Sequence, residues 1–312
     1  VAEQFTSWVD RMPGDFPLPG RGATGERFRA LIEVASHDLS VARLVEGHVD
    51  AVAVLAELDL APRPGARYGV WAARGSGDRV EAHPVAAGWR LVGRKSFCSG
   101  VGTVDRALVT AEAPDGYRLF DVAVDDVVRS AEPGSWAPAG MIGSASYTLC
   151  FDGTVEADAA VGGPGSYLDR AGFWFGASGV AACWFGGARG LARRVVAGVG
   201  EPGDCGLAEL GQLAATVQAM HDVLAVTADA IDTDPGDTGG GARRRALVTR
   251  QLVHQGCVEV LQLTASLGGA RPLCHDPEQA QRAADLYVYL SQYRSADASQ
   301  LGRLALEHPS WC

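Results

Sequence analysis

The spacing of apolar residues changes twice along these 312 residues, and each change narrows the folds open to the chain. From Glu26 to about Leu60, apolar residues such as Phe28, Leu31, Ile32, Ala35 and Leu39 recur at steps of three and four. That is the period of helices with one buried face. Gly47 interrupts the block, so two helices in close succession are expected, and Pro62, Pro64 and Gly65 end it. Near Tyr68 the pattern becomes short extended runs: Tyr68–Ala73, Gly88–Val92, Ala107–Ala111, Tyr117–Val124 and Ser146–Phe151. Turn clusters separate them, among them Gly75-Ser76-Gly77-Asp78 and Pro114-Asp115-Gly116. Short strands at this spacing predict a small barrel or sandwich. Past Gly162-Gly163-Pro164-Gly165 the helical period returns, over about 170–199, 207–231, 242–266 and 277–307, with the breaker-rich 232–241 as a flexible loop. The expected architecture is α+β. It has a short N-terminal helical region (1–66), a middle β-barrel or sandwich domain (67–162) and a C-terminal four-helix bundle (163–312).

Charge and composition exclude several functions. The net charge is −10, which argues against the basic face of a nucleic-acid binder. No run approaches the 18 apolar residues of a membrane span, and VAEQFTSWVDRMPGDF lacks the basic-then-apolar order of a signal peptide. Seven scattered cysteines, without C-x-x-C, fit a reducing, cytoplasmic setting. No histidine pair has metal-ligand spacing, and the Asp232, Asp234, Asp237 cluster is interrupted by Pro235, so no metal site is expected. Gly186, Gly187 and Gly190 lie inside a helical run, where small residues allow close helix packing rather than forming a dinucleotide loop.

The most informative stretch is Gly88–Thr110, GWRLVGRKSFCSGVGTVDRALVT. By period it is two short strands with a turn at Gly93. An aromatic, Phe97, precedes Cys98-Ser99-Gly100, where few side chains block the backbone and a flat ligand can approach. The stretch resembles the flavin-contacting part of the middle domain of acyl-CoA dehydrogenases, with matches at Gly88, Leu91, Gly93, Lys95, Phe97, Cys98, Ser99, Gly100 and Asp105. Trp136–Ser146 followed by Thr148–Val155, and Ser266-Leu267-Gly268-Gly269, resemble further segments of that family, as does the order of regions. The resemblance implies an FAD-dependent oxidoreductase. Phe97 would lie near the isoalloxazine and Ser99 would bond the flavin around N5. Cys98 would flank them, and Gly268 and Gly269 would meet flavin and the partner subunit. It also implies a homodimer or homotetramer, joined through the apolar faces of the last bundle helices, including Val253, Val260, Leu261, Leu286, Val288 and Leu290.

The sequence departs from that family at several points. The N-terminal region is short. The loop at 71–78 lacks the family's hydroxyl and acid before proline. Glu201–Gly206 replaces an arginine motif that holds a neighbour's FAD diphosphate, and acids there repel it. An acyl-CoA dehydrogenase needs a carboxylate base. The segment Tyr289–Asp297 offers only Asp297, and 173–177 offers none. Either Asp297 is the base, or the chemistry needs none there, or the site is inactive. Two functions follow: a flavin oxidoreductase on a non-standard acyl or carrier-bound substrate, or a flavin-free relative serving as an interaction scaffold.

Overall fold

The computed structural model describes residues 1–12, 16–73, 77–200 and 203–308. The chain opens with helices α1 (Ala2–Arg11), α2 (Thr24–His37) and α3 (Leu39–Glu57). Strands β1 (Tyr68–Trp71), β2 (Val80–Val85), β3 (Gly88–Cys98), β4 (Arg106–Ala113) and β5 (Gly116–Ala123) follow. The one-turn helix α4 (Val124–Val127) leads to β6 (Val128–Ala131), β7 (Tyr147–Glu156), β8 (Ala160–Val161) and α5 (Ser166–Asp169). The remainder is helical: α6 (Ala171–Gly198), α7 (Asp204–Thr233), α8 (Ala242–Gly268), α9 (Ala270–His275), α10 (Pro277–Leu290) and α11 (Ser295–Glu307). Among the described residues no helix is long and apolar enough to cross a membrane.

The chain forms two compact units. One comprises 1–16, 43–138 and 142–173; the other comprises 17–42, 139–141 and 174–312. The N-terminal helices are thus divided between them, with α3 contributing to both.

The first unit is built on one sheet in the order β6-β7-β3-β2-β4-β5-β8, with β1 added in parallel to β4. Ala51, Val54 and Leu55 of α3 pack with Tyr68, Leu108, Leu119, Val161 and Tyr167 in a cluster buried on one face of the sheet. The two strands expected between Gly88 and Thr110 are corrected in one respect. Gly93 is no turn. It lies inside the eleven-residue β3, which pairs antiparallel with both β2 and β7. Its φ is +132°, and a Cβ there would sit 2.2 Å from the Arg79 carbonyl. Glycine is required for a close strand crossing, not for chain reversal. β2 (VEAHPV), with Pro84 inside it, and β6 carry no strong apolar signal in the sequence.

The second unit holds the long helices α6, α7, α8 and α10. The break in the N-terminal helical block falls at Asp38 rather than Gly47. Asp38 is extended (φ −155°, ψ 117°) and its carboxylate accepts the Val41 amide at 2.9 Å, an N-cap for α3. Gly47 continues the helix in the other unit. The expectation for the small residues of α6 holds: a Cβ on Gly186 would lie 2.5 Å from the Ile32 carbonyl, and one on Gly190 would lie 2.3 Å from that of Ser36. The fourth bundle helix, expected as one piece, is two. Asp276 caps α10 by accepting the Glu278 and Gln279 amides, and Pro277 occupies the first helical position. The polar run Ser291–Arg294 ends it, and Ser291 donates back to the Tyr287 carbonyl at 2.9 Å. Between α7 and α8, Asp234 accepts the amides of Thr238 and Gly239, while Asp232, in the last turn of α7, accepts the amides of Gly22 and Thr24 and the Thr24 hydroxyl. Of the six residues read as partner-facing, Val253, Val260, Leu286 and Leu290 are buried within this chain's own core, and Leu261 and Val288 are half-buried.

Candidate functional site

In the sheet unit the residues singled out from sequence gather at the C-terminal end of β3. The β3–β7 register shifts between Lys95 and Cys98, a β-bulge. Phe97 lies in it with φ +59° and 54% of its surface exposed. A bulky residue in the left-handed region is a true outlier, and an exposed phenyl ring gains little there that burial would repay. Such strain is held by its surroundings. Ser96, one residue before, bonds Asp78 and lies 3.0 Å from the Thr148 hydroxyl. One residue after, the buried Cys98 thiol donates to the Lys95 carbonyl at 3.3 Å. Burial pushes that thiol's pKa well above its ordinary value. The Cys98 sulfur is therefore not a reactive thiolate.

Ser99 is buried and belongs to a line of hydroxyls that sequence reasoning did not assemble. Its Oγ is 2.8 Å from Ser146 Oγ, which is 2.8 Å from Ser144 Oγ. The Ser99 carbonyl accepts the Trp71 indole N–H at 2.9 Å, and the Gly100 amide donates to the Ser144 carbonyl at 2.8 Å. Ala145, between the two partner serines, is a second non-glycine residue in the left-handed region (φ +43°). The loop before β7 and the end of β3 are thus tied together by side-chain and backbone bonds. Lys95 points into the sheet's interior, donating to the Thr110 hydroxyl at 3.1 Å, and Tyr117 donates to the same hydroxyl at 2.6 Å.

In the helical unit, Gly268 ends α8 and Gly269 (φ +63°) opens α9. Gly268 borders a cleft of about 790 Å³ whose walls include Arg194, Gly198, Gly200, Arg271, His275 and Gln279. Arg194 is engaged by Asp276 (2.7 Å) and Glu278 (2.7 Å), whereas Arg271 is exposed. Of the Glu201–Gly206 segment, residues 201 and 202 lie outside the described residues, as do 74–76 of the 71–78 loop.

Asp297 stands at the start of α11 and its carboxylate is 3.5 Å from Arg250 Nη2. Arg250 lies over the Trp184 ring at 4.6 Å and donates to the Ala177 carbonyl. Burial lowers its pKa from the usual guanidinium value. His254, one turn along α8, stacks on Tyr293 at 4.5 Å and 27°. Burial and then the Arg250 charge hold its pKa below the ordinary imidazole value, which keeps it neutral at pH 7. Asp297 is therefore part of an Arg–aromatic cluster in the helical unit.

No family model matches the sequence, and no curated protein matches it. Solved structures do match. Dibenzothiophene monooxygenase TdsC from Paenibacillus sp. A11-2 superposes with a TM-score of 0.76 at 19% identity, over 98% of this chain and 95% of that one. A further structure of TdsC holds FMN and indole. KijD3 in complex with dTDP gives 0.77 at 17% identity, over 98% and 94%. Methanesulfinate monooxygenase MsuC from Pseudomonas fluorescens gives 0.77 at 15% identity, over 91% and 83%. Arrangement and neighbours together identify the acyl-CoA dehydrogenase-like fold.

Proposed function

We propose that the protein is a flavin-dependent oxidoreductase whose flavin ring rests against the bulge at Phe97–Ser99. The observation that carries this reading is an exposed phenyl ring forced to φ +59° next to a line of serine hydroxyls. A strained aromatic facing outward is costly without a ligand to meet it. A bound flavin supplies two-electron chemistry that no side chain offers. Phe97 gives an apolar face for the ring, Ser99 a hydroxyl that donates to a ring acceptor, and the backbone around Gly100 allows close approach. In the helical unit, the cleft beside Gly268 and Gly269, with the exposed Arg271 on its wall, suits the phosphate end of a partner subunit's flavin.

FMN fits better than the FAD implied by the family resemblance. TdsC, a neighbour in fold, is described with FMN, and the acids that replace the diphosphate-binding motif remove a reason to retain the adenylate half. The ion pair of Asp297 with Arg250 favours oxidation without a carboxylate base over acyl-CoA dehydrogenation, in line with the monooxygenase names among the structural neighbours. An acyl or carrier-bound substrate is the alternative, and aromatic and organosulfur compounds belong in the same substrate screen.

Fluorescence titration with FMN and FAD tests the reading. Quenching that saturates at low micromolar FMN, is weaker with FAD, and is diminished in Phe97→Ala supports it. Protein that is colourless as purified and rejects both flavins refutes it and favours the scaffold function.

A further inference from the structure

A buried acid that the proposed chemistry does not use stands on α10. The Asp285 carboxylate accepts the Met141 amide and, at 2.7 Å, the side-chain amide of Gln281, both on the same oxygen, Oδ1. Residues 139–141 belong to the helical unit with α10, and the two backbones lie against each other. A Cβ on Gly140 would sit 2.3 Å from the Ala284 carbonyl and 2.5 Å from the Asp285 nitrogen. The chain at Gly140 therefore has no room to shift toward α10, and the next amide is aimed at one carboxylate oxygen. Burial raises the pKa of this carboxyl, the mark of an acid taken out of water at a cost. Met141 is itself buried, with φ +63°, a left-handed conformation that a non-glycine residue adopts only at a cost. Two costs thus meet at one hydrogen bond. An apolar side chain in place of Asp285 would fill the same space on α10 without desolvating a carboxylate, so packing does not account for the acid.

What the bond holds becomes clear along the chain. A single short turn, Ile142–Ser144, follows Met141 and ends on the first serine of the hydroxyl line. The turn is tied within itself, since the Ile142 carbonyl accepts the Ala145 amide at 3.2 Å and the Trp136 indole N–H at 3.0 Å. A turn this short passes the orientation of its first peptide on to its last side chain. Beyond it, the Ser144 and Ala145 carbonyls accept the Gly100 and Val101 amides at 2.8 and 3.3 Å. We propose that Asp285 is a positioning residue of the flavin site: by fixing the Met141 peptide it sets where Ser144 and Ser146 stand, and through them how Ser99 presents its hydroxyl. The inference rests on the flavin reading and adds to it a residue that touches neither the flavin nor the serines.

Two measurements on the full chain test it: FMN titration by fluorescence, and hydrogen exchange of the flavin-free protein at the Gly100 and Val101 amides. Asp285→Asn keeps an acceptor oxygen for the Met141 amide and should hold FMN affinity within about threefold of wild type. Asp285→Ala leaves that amide unpaired and should weaken FMN binding at least about tenfold, with faster exchange at Gly100 and Val101. Asp285→Leu fills the space without an acceptor and reads the same loss if the alanine variant does not fold. The sharpest variant is Met141→Gly added to Asp285→Ala or Asp285→Leu. Glycine takes the left-handed conformation without help, so the double variant should regain most of the lost affinity even though it loses a buried side chain. A role in packing alone would show no such rescue. Asp285→Ala or Asp285→Leu binding FMN as wild type does, Asp285→Asn binding as weakly as they do, or a double variant no better than its parent overturns the inference and leaves the flavin reading standing. A wild type that binds no FMN overturns both.

Discussion

Phe97 allows the backbone strain at the site to be measured apart from the loss of its ring. A non-glycine residue in the left-handed region costs roughly 1–2 kcal/mol, and any side chain with a Cβ bears that cost. Truncation to alanine keeps the strain and removes the buried part of the ring. Since 54% of the residue is already exposed, that loss is about 1 kcal/mol, half of what full burial of a phenyl group contributes. Truncation to glycine loses the same contacts but releases the strain, against an entropy cost of roughly 0.5–1 kcal/mol for glycine in an extended chain. Phe97→Gly is therefore expected to be more stable than Phe97→Ala by roughly 0.5–1 kcal/mol, the reverse of the usual order in strands. Urea denaturation with unchanged m-values reads the difference directly. Both variants should lose flavin affinity, because both lose the aromatic face. If Phe97→Ala proves as stable as Phe97→Gly or more so, the bulge stores no strain at Phe97 and the argument for a ligand there loses its support.

Other consequences are equally direct. Gly186→Ala places a methyl 2.5 Å from the Ile32 carbonyl and should cost about 1–3 kcal/mol by overpacking, visible as a lowered melting temperature. His48, buried in the sheet unit with Nδ1 accepting the Tyr68 amide, has its pKa lowered by burial to about 4. A histidine depressed in the folded state is fully stabilising above its unfolded value near 6.5 and loses that contribution as pH falls toward 4. Between those limits stability should drop by about 3 kcal/mol, and His48→Gln should flatten that part of the pH profile. Asp297→Asn removes the anion beside the buried Arg250 guanidinium and should cost about 1–2 kcal/mol, while flavin reduction rates stay unchanged. A large rate loss at constant stability would instead return Asp297 to the role of base.

The fold was legible because its elements are long or sharply patterned. Apolar steps of three and four in α2 and α3, and the alanine- and glycine-rich α6, survive any choice of tertiary context. Misreadings arose where one residue type serves two ends. Gly47 and Gly93 both looked like interruptions, yet one continues a helix and the other lets strands cross. Asp38 carried the true helix boundary through its carboxylate, a signal present in the sequence as an N-cap residue ahead of Leu39. The apolar residues Val253, Val260 and Leu286 could not be assigned from periodicity alone to their own core or to a partner, since both bury one helix face.

The site was half legible for a related reason. Phe97, Cys98 and Ser99 are contiguous, so a motif gathers them. Ser144 and Ser146 come to Ser99 only because the end of β3 meets the loop before β7, a pairing separated by 47 residues and invisible to any local window. The hydroxyl line matters to what Ser99 can do. Each serine has one proton, and if Ser144 donates to Ser146 and Ser146 to Ser99, the Ser99 proton is left to donate outward, strengthened by its neighbours' polarisation. If the line runs the other way, Ser99 spends its proton on Ser146 and meets a ligand only as an acceptor. A flavin that offers an acceptor at this position selects the first direction, so Ser146→Ala should weaken flavin binding nearly as much as Ser99→Ala, and the two losses should not add.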